Sequence, residues 1–394
     1  MSLDPVEEEI INASKLMSDY IIKVRRDIHS YPELRYEEYR TSKLVEEELV
    51  RLGFQVARTA GTGVIGILRV SEGRTLALRA DMDALPIQEE NDVPYKSRIP
   101  GKMHACGHDA HVAMLLGAAR VLSSIKSKLR GTVKLVFQPA EEGGAGAKKI
   151  VEEGFFDDVN AVFGIHVWSE LPSGVIATRK GSMNASSTSF VIKIKGLGGH
   201  AAHPELTKDP TVPAADIYNA IQKVVARNVD PLTPIVVSTP RIEASKASNV
   251  IPDSVEIYGT LRAFDMSVRD RVLSRIEAIV RHYAAAWECE GKVEVTGIPY
   301  PPVINTSELA DFVMKVASKL GPTSEAPMSM GSEDFSFYLQ KVPGAFVILG
   351  TRSESKGIVY PHHHPRFDVD EEALWKGTAL HALLAYNYLV KNLT

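Results

Sequence analysis

The 394-residue chain carries twelve histidines, and nine of them fall in four short segments, at 104/108/111, 166, 200/203 and 362/363/364. Carboxylates gather in the same places. Asp81-Met-Asp83, Met103-His-Ala-Cys-Gly-His-Asp-Ala-His111, Gln138-Pro-Ala-Glu-Glu142, Gly164-Ile-His166 and Pro361-His-His-His-Pro365 each combine residue types that bind cations. Histidine, cysteine and carboxylate together form a ligand set for zinc or a neighbouring transition metal. A metal in such a set lowers the pKa of a bound water and polarises a carbonyl. A neighbouring carboxylate that is not a ligand can then move the water's proton to the leaving nitrogen.

Each feature also has an ordinary reading. A lone Cys106 is a small buried residue; within Cys106-Gly-His108 it reads as functional. Adjacent glutamates are usually a solvated pair, but Glu141-Glu142 follows an apolar run and precedes Gly143-Gly144. Of His362–His364, one or two at most can face one site. His29, His282 and His381 sit on helical patterns among charges and read as ordinary. Gly196-Leu-Gly-Gly199 lacks the Lys-Ser/Thr and the strand-to-helix setting of a phosphate loop.

Alternating elements are available to hold these groups. Helical spacing runs through 5–28 and 36–52, and short apolar runs at 63–70 and 75–80 read as buried strands. A helix over 112–125, a strand over 132–138, a helix over 145–153 and a strand over 161–167 follow, which argues an α/β layered sheet. Asp81 and Asp83, Glu141 and Glu142, and His166 lie at strand ends, where open α/β sheets bind ligands. From about 185 the order becomes β-α-β-β-α-β, the ferredoxin-like arrangement. Pro299, Pro301 and Pro302 mark its end. Beyond them a helix over 307–320, a strand over 345–350 and a helix over 371–392 return to the first pattern. The expected organisation is a catalytic α/β domain with a central mixed sheet, 1–184 and 298–394, interrupted by an inserted α+β domain, 185–297.

With 44% hydrophobic and 24% charged residues the chain is neither disordered nor fibrous. Its 45 basic and 49 acidic residues, a net charge of −4, carry no nucleic-acid footprint. Cys106 and Cys289 exclude a disulfide scaffold and fit a reducing compartment. The acidic opening residues lack a signal peptide's basic and apolar regions, and no apolar run of about 18 residues suggests a membrane span. A soluble cytoplasmic protein acting on a small molecule is expected.

Six motifs then resemble one family in order and spacing. They are Ala77–Pro86, Met103–His111, Gln138–Gly143, Gly198-Gly-His-Ala-Ala202, Met330-Gly-Ser-Glu-Asp-Phe-Ser336 and His363-His-Pro-Arg-Phe-Asp368. Together they resemble the amidohydrolase branch of the aminoacylase/carboxypeptidase metallopeptidases, from about residue 20 to 390. The resemblance implies two divalent metal ions, usually zinc, with manganese, cobalt or nickel as alternatives. It implies Cys106, His108, Glu142, His166 and His363 as ligands and Glu141 as general base. Distant relatives have a histidine ligand where this chain has Asp81; with Asp81 there the site resembles the branch using Cys106 and His108, so Asp81 is not expected as a direct ligand, and Asp83 is expected to orient the site. His200 corresponds to an oxyanion-stabilising residue, Asn249 and Arg262 to binders of a substrate carboxylate, and the inserted domain to a lid and homodimerisation module. The implied reaction releases an amino acid from an N-acyl-L-amino acid. Cleavage of dipeptides or short blocked peptides by the same chemistry is the alternative. A non-catalytic binding protein would require loss of Glu141 or a ligand, and every matched position is intact.

Overall fold

Asp4-Pro-Val-Glu7 contains the signals of a helix start. The Asp4 carboxylate accepts from the Val6 and Glu7 amides, and the Glu7 side chain accepts from the Asp4 amide. The helix Pro5–Leu16 follows in the computed structural model, which describes residues 3–391. The expected helix over 5–28 is two helices, because the chain turns at Met17 before Ser18–Ser30. There the Ser18 hydroxyl donates to the Lys15 carbonyl, one of the carbonyls a continuous helix would use.

The chain divides into two compact units. One comprises the residues up to Met183, Ile304–Pro327 and Asp334 onward; the other comprises Asn184–Val303 and Met328–Glu333. In the first, eight strands form one mixed sheet in the order Gln55–Thr59, Gly63–Arg69, Thr132–Gln138, Thr75–Asp81, Ala161–Pro172, Gly344–Arg352, Ile176–Thr178, Thr323–Glu325. The middle strands 132–138, 75–81, 161–172 and 344–352 run parallel. Helices His108–Ser124 and Leu374–Val390 pack into the core beside them, and most residues of both are buried. An apolar run without strong periodicity is what such enclosed helices require. The last expected helical residue, Asn392, lies outside the described residues.

Several sheet features depart from the sequence pattern, the unexpected short strands Ile176–Thr178 and Thr323–Glu325 among them. The edge strand Gln55–Thr59 has no apolar alternation because it is largely solvent-facing. The strand expected to stop at 167 continues to Pro172, since Gly344–Arg352 keeps pairing with it through Trp168 and Pro172.

In the second unit, Glu290–Tyr300, Ser187–Lys195, Ser254–Ala263 and Ile235–Glu243 lie side by side, all antiparallel. Numbered along the chain this is the order 4-1-3-2 of the ferredoxin-like arrangement. Helices Thr211–Ile221 and Met266–Ala286 supply Ile217, Ile221, Ile276 and Val280 to its core. No helix among the described residues is long and apolar enough to cross a membrane.

His381 lies not among charges but wholly inside the core of the first unit, and neither ring nitrogen has a hydrogen-bond partner among the described residues. Burial, followed by the nearby His111, pulls its pKa from 6.5 down to about 3. The unfolded chain therefore takes up a proton below 6.5 that the folded chain refuses, and stability falls as pH falls. Between pH 7 and pH 5 this one group removes about 2 kcal/mol. His381→Leu should lose correspondingly less over that range in denaturant titrations at the two pH values. Equal losses would show that the buried ring is not an acid-labile element.

Candidate metal centre

Gly107 separates Cys106 from His108 and sets their directions. It caps the helix His108–Ser124 with a left-handed φ of +89°, and a Cβ there would come within 2.3 Å of Val167. Only glycine fits that combination of conformation and space. The turn leaves Cys106 half-buried and His108 fully buried at the helix start.

The paired glutamates are held through their backbone. Ala140 is left-handed at φ +55°, and Glu142 departs from helical geometry. Three successive amides are fixed by buried carboxylates: Ala140 N–H donates to Glu38 at 2.9 Å, Glu141 N–H to Asp83 at 2.9 Å and Glu142 N–H to Asp83 at 3.0 Å. Asp83 thus touches the backbone of both glutamates. Glu141 also accepts from the Asp334 amide at 3.3 Å, and Asp334 is itself fixed by Arg79 and Gln138.

His166 lies inside its strand rather than at its end. Pairing between 75–81 and 161–172 stops at Arg79 opposite Gly164. Beyond that point His111 fills the split, its Nδ1 facing Asp81 and its Nε2 accepting from Val167 N–H at 2.8 Å. Asp81 also pairs with Arg79 at 2.7 Å. Both nitrogens of His111 are therefore engaged in protein contacts. His166 donates Nδ1–H to the Val167 carbonyl, which turns Nε2 toward Cys106 Sγ at 3.5 Å.

The groups converge. Donor atoms of Cys106, Glu142 and His363 lie within 4.8 Å of one another, as do those of His108, Glu141 and Glu142, and those of Asp81, His108, His111 and His166. His363 adopts φ +65°, donates its amide to the Ala105 carbonyl at 2.8 Å and places Nε2 3.1 Å from Glu142 Oε1. His108 has no aligned hydrogen-bond partner for either nitrogen among the described residues, Asp81 and Asp83 approaching only to 3.6 and 3.4 Å. Burial opposes its protonation, yet Asp81 and Asp83 push its pKa up to about 10. A buried, carboxylate-rich pocket with an unsatisfied imidazole and a thiol fits divalent cations. Of His362–His364, His362 turns away, bonded to Ser169 and the Val167 carbonyl.

In the second unit, His200 is exposed and accepts the Ala202 amide on Nδ1 at 3.0 Å, so Nε2 carries the proton. Exposed Asn249 accepts the Ala201 amide on its backbone carbonyl, and half-buried Arg262 donates to Ser332 at 3.0 Å. His29, read as ordinary, is instead fully buried between two carboxylates.

A mixed α/β sheet with thiol, imidazole and carboxylate donors gathered beside a second buried carboxylate is a candidate site for metal-dependent hydrolysis. Residues 77–387 match peptidase family M20/M25/M40, and the chain belongs to that family. It is 45% identical over 386 residues to thermostable carboxypeptidase 1 of Saccharolobus solfataricus, covering 97% of this chain and 98% of the relative. It is 40% identical to N-acetyl-L-cysteine deacetylase of Bacillus subtilis, covering 94% and 88%. The YXEP protein of Bacillus subtilis, a dinuclear metal binding peptidase from the M20 family, superposes with a TM-score of 0.83 at 36% identity, covering 95% of this chain and 99% of that one.

Asp83 offers two carboxylate oxygens to two backbone amides. Asp83→Asn keeps one acceptor and leaves one buried N–H unpaired, a cost of about 1–3 kcal/mol. The variant should be less stable by that amount and should hydrolyse substrate more slowly; unchanged stability and rate in a denaturant titration and a rate assay would remove Asp83 from the support of Glu141 and Glu142.

Proposed function

We propose that the protein releases free amino acids from N-acyl-L-amino acids, with Cys106, His108, Glu142, His166 and His363 holding two divalent cations, zinc foremost and manganese, cobalt or nickel as alternatives. The observation that supports this reading is that the five donors fall in groups linked by shared members, Cys106 with Glu142 and His363, Glu142 with His108 and Glu141, and His108 with His166. The names of two relatives support the substrate class: the deacetylase above and an IAA-amino acid hydrolase of Arabidopsis thaliana, 45% identical over 380 residues. The carboxypeptidase relative favours a second reading, hydrolysis of short peptides. Two cysteines without a disulfide among the described residues fit a cytoplasmic setting.

Bound in this pocket, the metals would activate water and polarise the scissile carbonyl. Glu141 takes a proton from the attacking water and returns it to the leaving nitrogen. The Asp334 amide keeps its carboxylate directed while Glu142, one residue on, serves as ligand. In this reading the second unit is a lid and homodimerisation module. His200, through Nε2–H, stabilises charge on the carbonyl oxygen, while Arg262 and Asn249 bind the substrate carboxylate.

A hydrolysis panel of N-acetyl, N-benzoyl and N-blocked amino acids against dipeptides, with elemental analysis of the same sample, tests the proposal. Acylated amino acids should be the better substrates. Turnover of dipeptides alone would favour the second reading, and turnover of neither would sink both. Glu141→Gln should keep its metal while the rate falls about 10²–10⁴-fold; metal lost in step with activity would make Glu141 a ligand. His200→Ala should lower kcat about 10²–10³-fold, and an unchanged kcat with a raised KM would make it a binding residue instead.

A further inference from the structure

Helix Ser18–Ser30 sends one fully buried guanidinium into the core behind the proposed ligands. Arg25 Nε donates to Asp109 at 2.8 Å, Nη2 to Asp368 at 2.7 Å and Nη1 to Glu371 at 3.1 Å. One turn on, His29 places Nδ1 2.8 Å from Asp109 and Nε2 3.2 Å from Glu89. A ring with a carboxylate at each nitrogen donates from both and carries a charge. Burial and Arg25 oppose that charge, and Asp109 and Glu89 outweigh them, raising the pKa of His29. Tyr95 donates its hydroxyl to the second Asp368 oxygen at 2.8 Å, and Asn91 donates to the Phe367 carbonyl at 2.9 Å.

These partners sit at particular places in the chain. Asp109 directly follows His108, and Asp368 lies five residues after His363. The network therefore joins the Cys106–His108 turn to the turn carrying His363, segments remote in sequence. Buried ion pairs are a poor source of net stability, and apolar residues of similar volume often serve as well or better. What a guanidinium supplies is geometry: donors in a rigid fork fix the positions of the carboxylates they bind, which a lysine ammonium cannot do.

We propose that Arg25 and His29 are positioning residues of the metal centre, holding the Cys106–His108 turn and the His363 turn at the separation that two cations require. This rests on the ligand assignment above and adds residues that contact no proposed ligand side chain.

The test measures zinc affinity of the metal-depleted full chain by competition with a chromophoric chelator. Zinc stoichiometry and the thermal midpoint of the metal-free protein are measured alongside. Arg25→Lys and His29→Gln should still bind two zinc ions, with affinity lower by about 10–100-fold, the usual cost of losing a partner that orients a ligand. Asp368→Asn and Tyr95→Phe alter the same network at its less buried end and carry the test should either core variant fold poorly. Arg25→Lys combined with Asp368→Asn should lose little more affinity than either alone, because both remove one shared contact. His108→Ala and His363→Ala, as ligand variants, should instead lower the zinc stoichiometry. Wild-type zinc affinity in the network variants overturns the proposal, and a lowered thermal midpoint with unchanged affinity does so too, by marking a purely structural clamp. If the ligand variants keep both zinc ions, the ligand assignment itself fails and the proposal falls with it.

Discussion

The structure depends on concentrating negative charge where water is scarce. Asp81, Asp83 and Glu141 are buried around one pocket, and Glu142 is half-buried beside them. Ionised carboxylates in such a setting are costly unless paired, hydrogen-bonded or bound to a cation. Much of the surrounding chemistry answers that constraint. Arg79 pairs with Asp81, and His111 donates Nδ1–H to it. The backbone amides of 141 and 142 occupy Asp83. The field that remains is expressed at His108, whose proton affinity is driven up by Asp81 and Asp83. Carboxylates that favour positive charge at this position favour a divalent cation as well, which is the electrostatic core of the proposed centre.

Backbone geometry turns that field into a site. Strands 75–81 and 161–172 are paired only as far as Arg79 and Gly164, and the crevice opens where they part. His111 fills the split and supplies the acceptor that Val167 N–H would otherwise lack. Left-handed conformations at Gly107, Ala140 and His363 lie next to proposed ligands, next to the proposed base and at a proposed ligand, respectively. For a residue other than glycine such a conformation costs about 1–3 kcal/mol and persists only when its surroundings over-determine it. Here the surroundings are identifiable: Glu38 holds the Ala140 amide, and the Ala105 carbonyl holds that of His363.

The legible parts of the sequence were those with local signals. Strand Thr132–Gln138 is buried on both faces and reads as an apolar run with its ends in place. The β-α-β-β-α-β order of the second unit was legible because Ser187–Lys195 and Ser254–Ala263 alternate and helix Met266–Ala286 carries its apolar residues at helical spacing. The polar edge strand Gln55–Thr59 carried no such signal. At the site, composition and spacing marked the segments, and the family resemblance selected residues within them. The long-range partners stayed hidden. Nothing local distinguishes Arg25 and His29 from surface charges on an amphipathic helix, because the carboxylates that enclose them come from Asp109, Glu89, Asp368 and Glu371. His381 was misread for a different reason: Ala379, Leu380, Ala382, Leu383 and Leu384 around it form an apolar run without charges, the local mark of an enclosed helix.

The adjacency of Glu141 and Glu142 shows how local conformation can divide labour. Neighbouring residues on a regular helix point about 100° apart, and on a strand to opposite faces. Neither geometry brings two carboxylates to one pocket with different partners. The departure of Glu142 from helical φ/ψ, after a left-handed Ala140, permits it. Glu142 then meets His363 and the Cys106 group, while Glu141 accepts the Asp334 amide. Both carboxylates lie near His108, but Glu142 alone groups with Cys106 and His363, and Glu141 alone accepts the Asp334 amide. Two identical side chains thereby acquire different electrostatic surroundings, the condition for one to bind metal while the other exchanges protons.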